Sequence, residues 1–218
     1  MTKPLRVGFC VSGGGRLFRA AANQAARLNI VPVLVVGETG CAGELKEFCA
    51  ERRIAFARLD ARNRTRFDKE LTRLCVDARL DLLCLTFDRI VPPALVKHYR
   101  GRMINVHMGL LPAFKGTHGL QRAVEFGARF AGATIHEVDE EVDHGAVIAQ
   151  CVVGVRRGEK AEALGGRLFG LLRLMFLQVL RWYASRRVAR DKQGRLWIRN
   201  AVYGELPVSP SLEDAFPD

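Results

Sequence analysis

Five short apolar runs, each parted from the next by a stretch with helical periodicity, constrain this chain more than any other feature. The runs are residues 5–11 (LRVGFCV), 30–36 (IVPVLVV), 54–59, 80–87 (LDLLCLTF) and 102–107. Near-continuous apolar runs of this length are what strands buried on both faces require. Between them, residues 16–28 are alanine-rich and 44–53 are amphipathic, while 64–79 carry Phe67, Leu71, Leu74, Cys75 and Ala78 at helical spacing. A short helical turn is expected at 95–99, after Pro92 and Pro93 stop regular structure. Strands alternating with helices predict an α/β protein with a parallel, doubly wound, twisted sheet flanked by helices.

The second half has a different pattern. A short helix is expected at 119–127. Residues 131–139 and 146–155 alternate and read as a hairpin with an acidic tip. The longest helix, 159–187, places Leu164, Leu168, Leu171, Leu172, Met175, Leu180 and Tyr183 among its apolar positions and reads as a core cover. Arg167, Arg173 and Arg181 interrupt it, which argues against a membrane span. Residues 1–188 are taken as one catalytic domain. Residues 189–218 are a tail with a short strand or hairpin at 196–203 and an end read as loose. The strand pattern starts at Leu5, which leaves no room for a signal peptide.

A net charge of +11 favours anionic partners. The excess is spread along the chain, and its densest cluster, Arg62, Arg64 and Arg66, has no interleaved aromatics. A solvated basic face is expected there rather than a nucleic-acid reader. The six cysteines form no C-x-x-C pair, and Cys10, Cys84 and Cys151 sit in apolar runs as small core residues. No disulfide framework or metal site is expected, and a reducing cytoplasm is the simplest setting.

In a sheet of this kind ligands bind over the carboxyl ends of the strands. Three segments collect there: the loop Ser12-Gly13-Gly14-Gly15 with Arg16, the stretch from Phe87 to Val91, and Asn105 with His107. Glycines between a strand and a helix fit either a tight turn or an anion seat at the helix N-terminus. The loop lacks dinucleotide and P-loop spacing. Asn105 and His107 are two residues apart, so both leave an extended chain on one side. They are either a buried strand end with satisfied polar groups or a place for chemistry. The four carboxylates Asp139, Glu140, Glu141 and Asp143 read by themselves as a solvated turn.

Together, S-G-G-G at 12–15, LTFDRIV at 85–91, INVHMGLLPAFKG at 104–116 and ATIHEVDEEVDHGAVIAQ at 133–150 resemble the folate-dependent formyltransferase family, the glycinamide ribonucleotide formyltransferases in particular. The resemblance covers roughly residues 5–185. Its most specific part is the combination N-x-H, L-L-P, F-x-G, then D-x-G some 36 residues after the histidine. It implies a Rossmann-like formyltransferase fold, 10-formyltetrahydrofolate as co-substrate and no metal. It also implies Asn105, His107 and Asp143 as catalytic residues. Asn105 and a protonated His107 would donate to the tetrahedral oxyanion, and Asp143 would hold the histidine and relay a proton. The pterin would pack between Phe87, Arg89, Ile90 and Val91 and the loop of Val138, Asp139, Glu140, Glu141 and Val142, largely on backbone atoms. Gly13, Gly14, Gly15, Arg16 and His118 would face a small, anionic amine acceptor. His136 matches a frequent family histidine with a supporting role, while His144 and His98 are expected to play no direct part.

The family loop S-G-N-G-S-N reads Ser12-Gly13-Gly14-Gly15-Arg16-Leu17 here. The proline and serine that usually follow the histidine are Met108 and Gly109, and the family's helix glutamate falls near Leu172. All these departures lie on the acceptor side, so an amine other than glycinamide ribonucleotide is expected. The alternatives are glycinamide ribonucleotide itself, water as acceptor in a formyltetrahydrofolate hydrolase, or a folate-binding protein without turnover. Monomer and homodimer stay open.

Overall fold

The computed structural model describes residues 3–41 and 43–216. It divides into two compact units, Met1–Asn105 and Val106–Asp218.

The first unit is the alternating half. It runs β1 (Leu5–Val11), α1 (Arg16–Asn23), α2 (Ala25–Leu28), β2 (Ile30–Glu38), α3 (Glu44–Glu51), β3 (Ala55–Leu59), α4 (Arg64–Asp77), β4 (Leu82–Thr86), α5 (Pro93–His98) and β5 (Met103–His107). The last two residues of β5 open the second unit. All pairings here are parallel, in the order β5-β4-β1-β2-β3. From β1 the chain fills one side with β2 and β3, then returns to build β4 and β5 on the other. The loops after β1 and β4 therefore flank the point where strand order reverses, where a doubly wound sheet opens its crevice. The helix expected over 16–28 is two helices, broken at Gln24 (φ −104°, ψ 11°), whose N–H bonds back only three residues, to Ala21.

The core of this unit lies on both faces of β1 and β4, as their apolar runs require. Phe9, Cys10 and Val11 are fully buried, as are Leu82, Leu83 and Cys84. Phe9 packs on Phe18 at 5.2 Å, and Phe18 meets Phe48 edge-on at 5.6 Å. All six cysteines are free and buried. Tyr99, fully buried after α5, donates its hydroxyl to the Cys75 carbonyl at 2.6 Å and so satisfies a carbonyl near the end of α4.

The second unit holds α6 (Gly119–Phe126), β6 (Phe130–Glu137), β7 (Val147–Gly154), α7 (Ala161–Ala184), β8 (Val188–Arg190), β9 (Leu196–Ile198) and β10 (Val208–Ser209). β6 and β7 form the expected antiparallel hairpin, with Ala133 opposite Cys151. α7 lies against both strands. By length and composition α7 is apolar enough to cross a membrane, so its arginines alone do not exclude a span. Leu164, Leu168, Leu172, Met175, Phe176 and Leu180 are nevertheless buried in the protein, as a core helix demands.

Residues 207–216, in the tail expected to be loose, are docked. β10 pairs antiparallel with β7, and the Pro207 carbonyl accepts from Val152. The Gln178 side chain on α7 accepts from the N–H groups of both Glu213 and Asp214, at 3.1 Å each. Phe216 is buried. A two-residue strand between prolines is too short to show a period, which is why the pattern hides it.

Replacing Tyr99 by Phe strips the Cys75 carbonyl of its buried donor. The expected cost is about 1–3 kcal/mol of stability, read as a lower midpoint in urea with unchanged slope.

Candidate active site

In the second unit the site is built around one carboxylate. Asp143 sits in the left-handed region, at φ 54°, which asparagine and aspartate tolerate better than most residues. That turn takes its side chain out of the exposed acidic tip and into the protein, where it is 8% exposed. Oδ2 lies 3.2 Å from Nδ1 of His107 and accepts the Gly116 N–H at 2.7 Å. Oδ1 lies 3.4 Å from Nε2 of His136. The rest of the tip stays outside: Asp139 and Glu141 pair with the exposed ring of His144, at 3.6 and 3.4 Å. His144 thus faces away from Asp143, its sequence neighbour.

His107 ends β5 and is 6% exposed. Its Nε2 is 3.1 Å from the Phe114 carbonyl. Both ring nitrogens therefore face acceptors, a carboxylate and a carbonyl. A neutral ring can donate to one of them and an imidazolium to both. Gly109 packs on this ring so tightly that an added Cβ would lie 2.6 Å from Nε2. Glycine at that position is a steric requirement of this ring placement.

A second set of bonds holds the turn that carries these partners. The Thr134 hydroxyl, fully buried, donates to the Gly109 carbonyl at 2.7 Å. It accepts from the Leu111 N–H and from Gln150 Nε2, at 3.1 and 3.0 Å. Gln150 also donates to the Leu111 carbonyl at 2.9 Å. The Leu110–Pro112 step is thereby fastened to the β6–β7 hairpin. Neither Thr134 nor Gln150 was singled out by sequence reasoning. The available signal was the spacing of Thr134 and His136, two apart in an alternating strand and so on one face.

His136 is 2% exposed, and its Nδ1 donates to the Glu137 carbonyl at 2.7 Å. Burial lowers its pKa from the ordinary histidine value, partly offset by that bond and by Asp143. Of the remaining candidates here, Val138 and Asp139 are half-buried, Glu140, Glu141 and Val142 are exposed, and His118 is an exposed residue at the start of α6.

In the first unit, the two segments at the strand-order reversal have their own geometry. Gly13 and Gly15 adopt positive φ, 54° and 61°, and Gly15 opens α1 without a side-chain cap. Arg19 donates to the Gly14 carbonyl at 3.0 Å from within the helix, while Arg16 is exposed. Phe87 and Val91 are buried and Ile90 is 61% exposed. The Arg89 guanidinium is paired with Glu38 at the end of β2, at 2.7 Å, which fixes the loop after β4 to that strand. Asn105 lies on β5 opposite Leu85, two residues before His107. Among the described residues, no group of three or more His, Cys, Asp or Glu is arranged to hold a metal ion.

A parallel α/β sheet with this strand order, followed by a buried histidine–aspartate pair, defines a narrow class. The family described as formyl transferase matches residues 5–180, and the chain belongs to it. Among its relatives, the human trifunctional purine biosynthetic protein adenosine-3 is 30% identical over 207 residues, 90% of this chain and 20% of that protein. The phosphoribosylglycinamide formyltransferase of Mycobacterium tuberculosis is 34% identical over 170 residues, 76% of this chain and 78% of the relative. The crystal structure of phosphoribosylglycinamide formyltransferase from Anaplasma phagocytophilum superposes with a TM-score of 0.81 at 26% identity, covering 91% of this chain and 96% of that one. The chain spans only 10–20% of the length of the trifunctional relatives that it matches.

Two outcomes are expected. Gly109→Ala displaces the His107 ring, measured as a shift of its imidazole proton signals, while the fold persists by circular dichroism. The lowered pKa of His136 means that, on acidification, the unfolded chain takes up its proton first, near pH ~6.5. The melting temperature therefore falls between about pH 7.5 and pH 5.5, and His136→Gln flattens that slope.

Proposed function

We propose that the protein is an enzyme that transfers a formyl group from 10-formyltetrahydrofolate to the amine of a small phosphorylated acceptor. The observation that carries this reading is the Asp143 carboxylate facing Nδ1 of His107 while Nε2 faces a carbonyl. In its protonated form the ring carries an N–H at each nitrogen. Formyl transfer needs such a donor, because amine attack on the formyl carbon places a negative charge on oxygen.

The chemistry runs through a tetrahedral intermediate. The acceptor nitrogen adds to the formyl carbon, and the oxyanion takes its hydrogen bonds from the Asn105 amide and from His107 Nε2–H, which then shares its hydrogen between the oxyanion and the Phe114 carbonyl. Asp143 keeps the ring charged and accepts the ammonium proton, directly or through a water. Collapse restores the carbonyl and expels N10 of the folate, which takes the proton that Asp143 had accepted. Phe87, Arg89, Ile90, Val91 and the loop 138–142 hold the pterin, with Arg89 acting through its backbone because its side chain is engaged by Glu38. Gly13, Gly14, Gly15, Arg16 and His118 face the acceptor. Residues 1–188 form the catalytic domain, no metal takes part, and the setting is the cytoplasm.

Relatives named phosphoribosylglycinamide formyltransferase put glycinamide ribonucleotide first among acceptors to test. Arg16 and Leu17 in the glycine loop, with Met108 and Gly109 after the histidine, favour a different amine. Turnover of 10-formyltetrahydrofolate with glycinamide ribonucleotide, amino-sugar nucleotides and hydroxyornithine separates the two. Release of tetrahydrofolate without any amine would instead make the protein a hydrolase. Asn105→Ala, His107→Ala and Asp143→Ala should each lower kcat by about 10²–10³ with the fold intact. Near-normal turnover in His107→Ala would refute the mechanism.

A further inference from the structure

Glu137 stands where the alternation of β6 calls for an apolar residue. Ala131, Ala133 and Ile135 precede it at two-residue intervals, all buried. Its own side chain is 9% exposed. Replacing a buried ion pair by apolar packing is often neutral or stabilising, so a charge here invites a reason other than stability. Its partner is the guanidinium of Arg190, on β8 and 53 residues further along the chain.

The Glu137 peptide is the joint of the loop that carries Asp143. Its N–H donates to the Ala146 carbonyl at 2.9 Å, which closes the mouth of the loop. Its carbonyl accepts from His136 Nδ1 at 2.7 Å. Gly145 is pressed against that same carbonyl, since a Cβ there would lie 1.9 Å from the oxygen. The His136 ring thereby stands with Nε2 3.4 Å from Asp143 Oδ1, an ion pair when the ring is charged, and Asp143 Oδ2 faces His107 at 3.2 Å. Arg190 is itself fixed: it donates to the Gly194 carbonyl at 2.8 Å inside the β8–β9 turn. That hairpin follows α7 directly, and Arg187 anchors its base by pairing with Glu213.

We infer that Arg190 and Glu137 are positioning residues: the pair holds the peptide that aims His136 at Asp143, and through Asp143 it sets His107. The inference rests on the reading that His107 and Asp143 carry the chemistry. Without Arg190, Glu137 is a buried carboxylate with no counter-ion. Burial already pushes its carboxyl up from the ordinary glutamate value, and Arg190 opposes that shift. The uncompensated group draws on the nearest N–H donors or takes up a proton, and either change disturbs the Glu137 backbone, whose carbonyl holds His136.

The experiment compares Arg190→Met, Arg190→Lys and Glu137→Gln with the parent protein and with His107→Ala. It reads kcat and KM for 10-formyltetrahydrofolate, and the ¹⁵N and imidazole proton signals of His136. Arg190→Met is expected to lower kcat about tenfold with KM unchanged, and to shift the His136 Nδ1–H signal. Arg190→Lys keeps the charge without the planar fork and should lose less. Glu137→Gln removes the charge but keeps an acceptor for Arg190, and should lower kcat and shift the His136 signal less than Arg190→Met does. If Arg190→Met does not fold, a lowered kcat in Arg190→Lys with a shifted His136 signal supports the inference. Unchanged kcat and an unchanged His136 signal in the folded arginine variants, with His107→Ala inactive, would overturn it. Turnover in His107→Ala would sink the catalytic reading instead, and the His136 signal would still report whether Arg190 orients that ring.

Discussion

A carboxylate removed from water must be given partners, and much of the second unit is arranged to supply them to Asp143. Its two oxygens meet two imidazoles and one backbone N–H. Each of those partners comes from a different segment: His107 from the end of β5, Gly116 from the turn after it, and His136 from β6. The carboxylate therefore acts as a fastening point as well as a chemical group. The left-handed backbone at Asp143 is the local cost of pointing it inward, and residues in such conformations persist only where surrounding contacts over-determine them.

The turn that supplies Gly116 and the Phe114 carbonyl is controlled in the same manner. One threonine hydroxyl serves three bonds, and one glutamine amide bridges it to the Leu111 carbonyl. Buried polar networks rigidify when every member is satisfied, and here the donors and acceptors on Thr134 are all in use. The result is a loop segment held by a hairpin, so the site rests on regular structure although many of its atoms belong to turns.

The alternating half of the fold was legible because buried parallel strands leave long apolar runs. Observed strands begin and end within two residues of those expected. Asn105 and His107 were legible as a pair because strand geometry puts residues two apart on one side. The inward turn of Asp143 was not legible from the residues alone, because a run of carboxylates looks solvated and its backbone twist is carried by an aspartate rather than a glycine. The family resemblance named it. The break at Gln24 leaves no compositional mark in an alanine-rich helix. The Glu137–Arg190 pair was invisible because its members lie far apart in sequence, and nothing local to β8 announces a partner.

β10 has a further consequence. β7 pairs with β6 on one side, and without the tail its other side would present free backbone N–H and C=O groups. Such an edge is a template for any second extended chain. Val208 and Ser209 occupy part of it, with Pro207 before them and Pro210 after. Proline has no N–H to offer, so the new outer edge is a poor template in its turn. The short tail strand therefore works as a stop: it covers part of the edge of β7 and offers little edge of its own.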